Sequence, residues 1–481
     1  MLSTQPSKLS ALEEVAPPTV AHQRNRRWSN WGQTAHCQPN YIFFPHSAED
    51  LIEIVHFARN HGKQVRAVGS GHSWSALVPT HEVLVNVQTM NAVTMELADP
   101  ANPCVIMESG ATVREVNDIL EAHGYALPFN VVLESVRFGG LISTGSHGSG
   151  WNHQTLSDLV EWIEVVTAAG ELRRFEAGVD SDTVMNAVRL SLGMFGLVYQ
   201  IKLRVQKSWI VHRQDRRVSV QKTLDNLAEW AHLYDNMDIF WWPFQDRFWV
   251  KTWHPTEGPI TAKPRRNLVE NVRSQIECQI LRQGLGLLKP FPQLTRPLCT
   301  TTFLFTPSHC DQIVDLVEAV HYRRGIERVL TGCVEIAFKI DPDFSNVKWA
   351  IQLVLDEAKR HAERNQYPFN VTMNVRFIHN SDCLLSPAYG KGHTCYIEIL
   401  SHAHQPKWEA FSGQIAREWL GLTHARPHWA KEFRHIPGVV DHIKREMGEN
   451  IATFNEIKAQ LGVDPSNMFM NDTLREIFLP A

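Results

Sequence analysis

Two glycine-rich strings about 70 residues apart constrain this chain more than any other feature. The first is Val68-Gly69-Ser70-Gly71-His72-Ser73-Trp74-Ser75, which follows the short apolar run Val65 to Val68. Glycines placed directly after a strand let backbone N–H groups turn toward an anion, so such a loop can cradle a pyrophosphate. The second runs Phe138-Gly139-Gly140-Leu141-Ile142-Ser143-Thr144-Gly145-Ser146-His147-Gly148-Ser149-Gly150. Its small side chains and hydroxyls permit close backbone approach to a flat polar ligand together with side-chain hydrogen bonds. The pair predicts a cofactor cradle. Two familiar alternatives fail on single residues. A dinucleotide fingerprint needs glycine where Trp74 stands, and a hydrolase elbow needs glycine where Ser75 stands.

The flanking pattern is strand and helix in turn. Ser47 as N-cap, the stripe Leu51, Ile54, Val55 and Ala58, and Gly62 past the end predict a helix of about four turns. LVNV at residues 84–87 reads as the next strand. CVIMESG followed by Thr112 and Glu115, a capping box, repeats the unit up to Gly124. A hairpin is expected around Ala169-Gly170, and SLGMFGLVYQIKLRV reads as a turn and a strand. Beyond residue 206 the strands FWVKTW, TTFLF, NVTMNVRF and TCYIEIL alternate with helical stretches HCDQIVDLVEAVHYRR and VKWAIQLVLDEAKRHAER, which suits an α+β unit. Pro290 to Pro307 reads as an irregular connection, and residues 1–27 as a loose leader whose Arg24, Arg26 and Arg27 are solvated.

At 481 residues one core is not enough, because single cores stop growing near roughly 250–300 residues. A net charge of −4 without a long Lys/Arg block argues against a nucleic-acid partner. No uncharged apolar run of about 18 residues predicts an integral membrane segment, and no signal peptide is evident, so a soluble cytoplasmic protein is expected. Eight scattered cysteines without C-x-x-C predict buried thiols, and no protein metal site is expected.

The two glycine strings, with ARPHWAKEF at 425–433 and the Ser-Pro that follows Val375-Arg376-Phe377, resemble the FAD-linked oxidases of the vanillyl-alcohol oxidase superfamily. Within it the likeness is to the sugar-1,4-lactone oxidases, the gulonolactone and arabinonolactone oxidases. It covers the chain from Trp28-Ser29-Asn30-Trp31 to His428-Trp429-Ala430-Lys431. The resemblance implies an α+β, two-domain FAD-binding fold of the PCMH type: a FAD domain over 28–206, an antiparallel-sheet substrate domain over 207–420, and a segment 421–481 that returns to complete the active site.

It further implies FAD joined covalently to His72. A second link through cysteine is not expected, because Ser135 to Gly140 contains none. Val68, Gly69, Ser70, Gly71, Ser73, Gly139, Gly140, Ser143, Thr144, Gly145, His147, Gly148, Val198 and His428 are the expected cofactor contacts. The implied reaction is oxidation of a CH–OH group of a sugar lactone or, alternatively, a polyol, with oxygen or another electron acceptor. A flavin protein without catalysis is the reading from another class.

Such chemistry needs positive charge near the reduced ring and an acceptor for the hydroxyl proton. Arg376 and Lys431 can supply the charge, and alternation along its strand puts Asn374 on the same face as Arg376. The family generally carries Glu at the position of Asn374, and an amide cannot take up a proton at neutral pH. Glu398, an acid among apolar neighbours on the following strand, is the expected replacement, and Glu335 is a weaker alternative.

Overall fold

The structure is a computed structural model describing residues 17–262, 268–288, 290–321 and 329–480, with the side chains of 268–274 and 277 left aside. Residues 1–16, most of the expected leader, lie outside the described residues. The leader is shorter than expected, since His22–Arg24 already pairs antiparallel with Tyr41–Phe43.

Tyr41–Phe43, Val83–Asn86 and Val65–Val68 form a parallel ladder. Parallel neighbours need a crossover, and the helix Ala48–Asn60 provides it, capped by Ser47 accepting from the Asp50 N–H. Leu51, Ile54, Val55 and Ala58 turn its stripe into the core against Val65, Val83 and Val85. A second sheet holds, in order, Leu172–Glu176, Val160–Val166, Leu197–Arg204, Cys104–Glu108 and Val93–Glu96. The capping box of Thr112 and Glu115 starts helix Val113–Ala122 as expected. Cys104–Glu108, however, is antiparallel to both neighbours and does not repeat the parallel unit.

The third sheet is antiparallel throughout its eight strands, in the order His309–Asp315, Ile210–Ser219, Arg247–Pro255, Asn236–Trp241, Thr372–Ile378, Thr394–His402, Thr331–Lys339 and Arg426–Pro427. Helix Ser345–Glu363 packs its apolar side on this sheet, burying Val347, Ala350, Ile351 and Val354. One hydrophobic cluster runs from Val105 and Phe138 through Ile239 and Ile397 to Phe478, so the second and third sheets share a core.

Two expectations change type. TTFLF lies in the helix Thr295–Leu304, where Thr301 and Thr302 donate their hydroxyls to Pro297 O (2.9 Å) and Leu298 O (3.0 Å). Those bonds and the burial of Cys299 and Phe303 override the strand preference of a threonine run. With Pro292–Leu294 as a 3-10 turn, the stretch between Pro290 and Pro307 is largely helical. Conversely, His309–Asp315 is an edge strand paired along its length with Ile210–Ser219, and only Leu316–Val320 is helical. Residues 322–324 of that expected helix lie outside the described residues. Helix packing decided the first case and strand pairing the second, neither of which local periodicity reports.

Candidate active site

Strand Val65–Val68 is the edge of the parallel sheet, and the first glycine string leaves its carboxyl end. Gly71 takes φ +67°, a left-handed conformation that a side chain disfavours. Four hydrogen bonds hold this turn. Trp31 N donates to Gly71 O (2.7 Å), Asn30 Nδ2 to Ser73 O (2.8 Å), Trp74 N to Ala430 O (2.7 Å) and Ser75 Oγ to Trp429 O (2.5 Å). The turn is thereby stitched to His428-Trp429-Ala430-Lys431, more than 350 residues later. Ser70 Oγ donates to Ser135 O at 2.7 Å, which brings the second glycine string alongside. In that string Phe138–Ser143 is a short helix. Gly139 passes so close to Ser109 that a Cβ would stand 2.9 Å from it.

Both strings line one wall of a cavity of about 390 Å³. His72 faces it, stacked on Trp31 with centroids 5.0 Å apart. Its Nδ1 is buried and has no hydrogen-bond partner among the described residues. Burial, then the charge of Lys431, lowers the His72 pKa to about 4. The imidazole is therefore neutral near pH 7, with a lone pair available.

The opposite wall is one face of the third sheet, and its composition follows from register. Glu335 pairs with Glu398, Glu398 with Asn374, and Asn374 with Phe240. Directly opposed residues point the same way, so these four form one row across the sheet. Two residues along, Ala337, Tyr396, Arg376, Asp238, Lys251 and Asp215 form the next row on the same face. Arg376 Nε donates to Asp238 Oδ1 at 3.3 Å, which holds the guanidinium beside the cavity.

Lys431 reaches over this row. Its Nζ lies 2.5 Å from Glu398 Oε1 and 3.7 Å from Glu335 Oε2, and 4.7 Å above the Trp74 ring. Burial works against the ammonium, but Cys333, Glu398 and Glu335 outweigh it and raise its pKa. Burial likewise works against the Glu335 carboxylate, yet Lys431 and then His147 hold it well below the usual carboxyl range. His147 stands 3.6 Å from Glu335 Oε1 and stacks on Tyr396. His428 is pushed down to about 3, first by burial. His147, Glu335 and His428 place ligand atoms within 4.8 Å of one another, a spacing open to a metal ion. The Lys431 ammonium already supplies the neutralising charge there.

Of the residues expected at the site, Val68 to Ser73, Gly139, Gly140, Ser143, Thr144, His147, Gly148, Val198, Asn374, Arg376, Glu398, His428 and Lys431 all line the cavity, as does Glu335. Gly145 does not. It lies behind the wall at φ +69°, where a Cβ would meet Leu190 at 2.6 Å. Trp31, Asn130, Arg137, Asp238 and Phe240 line the cavity and were not expected. Asp238 carried a faint signal, an acid inside the apolar strand Asn236–Trp241. Trp31 stood in a string that bore the family likeness, whereas Asn130, Arg137 and Phe240 carried no signal.

A glycine-backbone cradle, a neutral histidine with an orphaned buried nitrogen, and an ammonium on the facing wall suit a flavin, and the class they define is the flavin-dependent oxidoreductases. Residues 39–176 match the FAD binding domain family. Residues 201–477, more than half of the chain, match the family described as D-arabinono-1,4-lactone oxidase, and the protein belongs to that family.

A D-arabinono-1,4-lactone oxidase of Eremothecium gossypii is 30% identical over 529 residues, covering 96% of each chain. An L-gulono-1,4-lactone dehydrogenase of Mycobacterium tuberculosis is 27% identical, covering 94% of this chain and 99% of that one. Among solved structures, a cholesterol oxidase of B. sterolicum superposes with TM-score 0.80 at 14% identity, covering 99% of this chain and 100% of that one. A xylooligosaccharide oxidase of Myceliophthora thermophila does so at 0.68 and 16%, covering 94% of each. These two likenesses concern the fold, the two-domain FAD-binding architecture expected from the sequence.

Proposed function

We propose that the protein oxidises a CH–OH group of a sugar-1,4-lactone, using FAD bound covalently through His72 and passing the electrons to oxygen or another acceptor. The observation that carries this reading is the facing arrangement of His72 and the row Glu335, Glu398 and Asn374, with Lys431 between the walls. The names of the relatives, lactone oxidases and a lactone dehydrogenase, support the substrate class.

FAD held between the glycine strings supplies the hydride acceptor. The chain does the rest. Asn374 Oδ1 is buried with no hydrogen-bond partner among the described residues, and an orphaned acceptor facing a cavity accepts a substrate hydroxyl at little further cost. Glu398 Oε1 is engaged by Lys431 and by the Cys333 thiol at 2.9 Å. Its Oε2 takes no part in these contacts and is the atom to which the hydroxyl proton passes. Lys431 and Arg376 set two positive charges beside the reacting centre, which stabilises negative charge developing there. Asp238 keeps Arg376 from folding away.

Purified protein tests this directly. An aldonolactone should bleach the yellow colour without oxygen, whereas alditols should not; the reverse result would move the substrate to an open-chain polyol, the reading that Asn374 in place of the family glutamate favours. For the covalent link, acid-precipitated wild-type protein should stay yellow and His72→Ala should release its FAD. A wild-type pellet without colour would refute the bond while leaving the reaction standing.

A further inference from the structure

We propose that the lactone this protein oxidises carries an apolar substituent, seated in an aromatic lobe of the cavity beside Asn374. The proposal rests on the lactone reading above and narrows it to amphipathic substrates.

The lobe follows from register. The row that begins with Glu335, Glu398 and Asn374 continues through Phe240 to Trp249. Neighbouring strands lie about 4.8 Å apart, so the wall changes from two acids and an amide to aromatic rings within about 10 Å of Asn374. Trp242, two residues on from Phe240, lines the cavity as both of these rings do. Ring centroids lie 5.2 Å apart for Phe240 and Trp249, and Trp242 stands 6.3 Å from each of them. At such spacings aromatic rings attract one another. Phe303, from helix Thr295–Leu304, backs Trp242 at 5.8 Å, so the three rings form a fixed wall.

The surroundings of these rings are apolar too. Val132 packs against them. Leu400 and Thr372 are directly opposed, two residues along from Glu398 and Asn374, and both line the cavity. The Thr372 hydroxyl is turned to the backbone, donating to Trp241 O at 3.0 Å. A sugar hydroxyl moved into this lobe would exchange its hydrogen bonds to water for ring faces and methyl groups, an unfavourable transfer. An apolar group is favoured there by the area it removes from water. The cavity thus divides its substrate, with the reacting hydroxyl at Asn374 and Glu398 and an apolar group over Phe240. A second sugar ring could stack on the same wall, but its edge hydroxyls would need partners. Arg376 and Asp238 lie on the other side of the Asn374 row and are bonded to each other.

The test compares an aldono-1,4-lactone with its benzyl ether at the terminal hydroxyl, on the FAD-loaded protein. The ether should show a kcat/KM at least about tenfold higher, the effect of burying one aromatic group. The gain should lie in KM with kcat unchanged, the mark of binding remote from the reacting centre. In Leu400→Trp, which fills the lobe, the ratio of ether to parent should fall to about one. That ratio is taken within one protein and does not depend on its folded fraction. If the parent lactone bleaches the flavin and the ether turns over no faster, or a glycosylated lactone outdoes the ether, this proposal falls and the lactone reading stands. If neither parent nor ether bleaches the flavin, both fall.

Discussion

Replacing Lys431 by methionine should expose the electrostatic design of the site. Glu335 and Glu398 are directly opposed in register, a placement that puts Cβ atoms about 4.5–5.5 Å apart, and Lys431 touches both. Removing one partner of a buried ion pair costs about 3–5 kcal/mol. The Lys431 side chain keeps 15% exposure, so the lower end, about 3 kcal/mol, applies. At about 1 °C per kcal/mol for a chain this large, the melting temperature should drop by about 3 °C at pH 8. Two carboxylates that close without a cation cannot both stay ionised, so one takes up a proton and the loss should shrink toward pH 5. Adding Glu335→Gln should recover part of the loss, and Lys431→Arg should behave much like the wild type. Thermal melts at pH 8 and pH 5 on the four proteins measure the coupling. A Lys431→Met protein that melts within about 1 °C of wild type at pH 8, with no further effect of Glu335→Gln, would refute the reasoning.

Asn374→Ala should lower kcat/KM roughly tenfold or more, the worth of a buried hydrogen bond to substrate; a value within twofold of wild type would take Asn374 out of the reaction. Acid should destabilise the fold through a buried histidine. His428 has a folded pKa near 3, below the ordinary 6.5, so its contribution is complete above pH 6.5 and is lost as pH falls from there toward 3. Melting temperature should therefore decline between pH 6.5 and 4, and His428→Gln should flatten part of that slope; an unchanged slope would place the acid sensitivity elsewhere.

The site was legible in proportion to how local each signal is. Both glycine strings, the strand Val65–Val68 and the two capped helices are short-range patterns, and all appear at the expected positions. TTFLF and HCDQIVD were misread because sheet pairing and helix packing, not propensity, settled them. Asp238 and Phe240 were missed because a strand read alone does not name its neighbour.

By itself the sequence determined the cradle: glycines where backbone must approach a ligand, a histidine among them, and a basic string near the C-terminus. Alternation also placed Asn374 and Arg376 on one face. Only the tertiary structure decided which carboxylate meets which cation. Register across Thr331–Lys339, Thr394–His402 and Thr372–Ile378 set Glu335, Glu398 and Asn374 in one row, and the bond from Trp74 N to Ala430 O carried Lys431 over it. The physical reason is that a backbone conformation is written in neighbouring residues, whereas an ion pair between residues far apart exists only after the sheet has chosen its register.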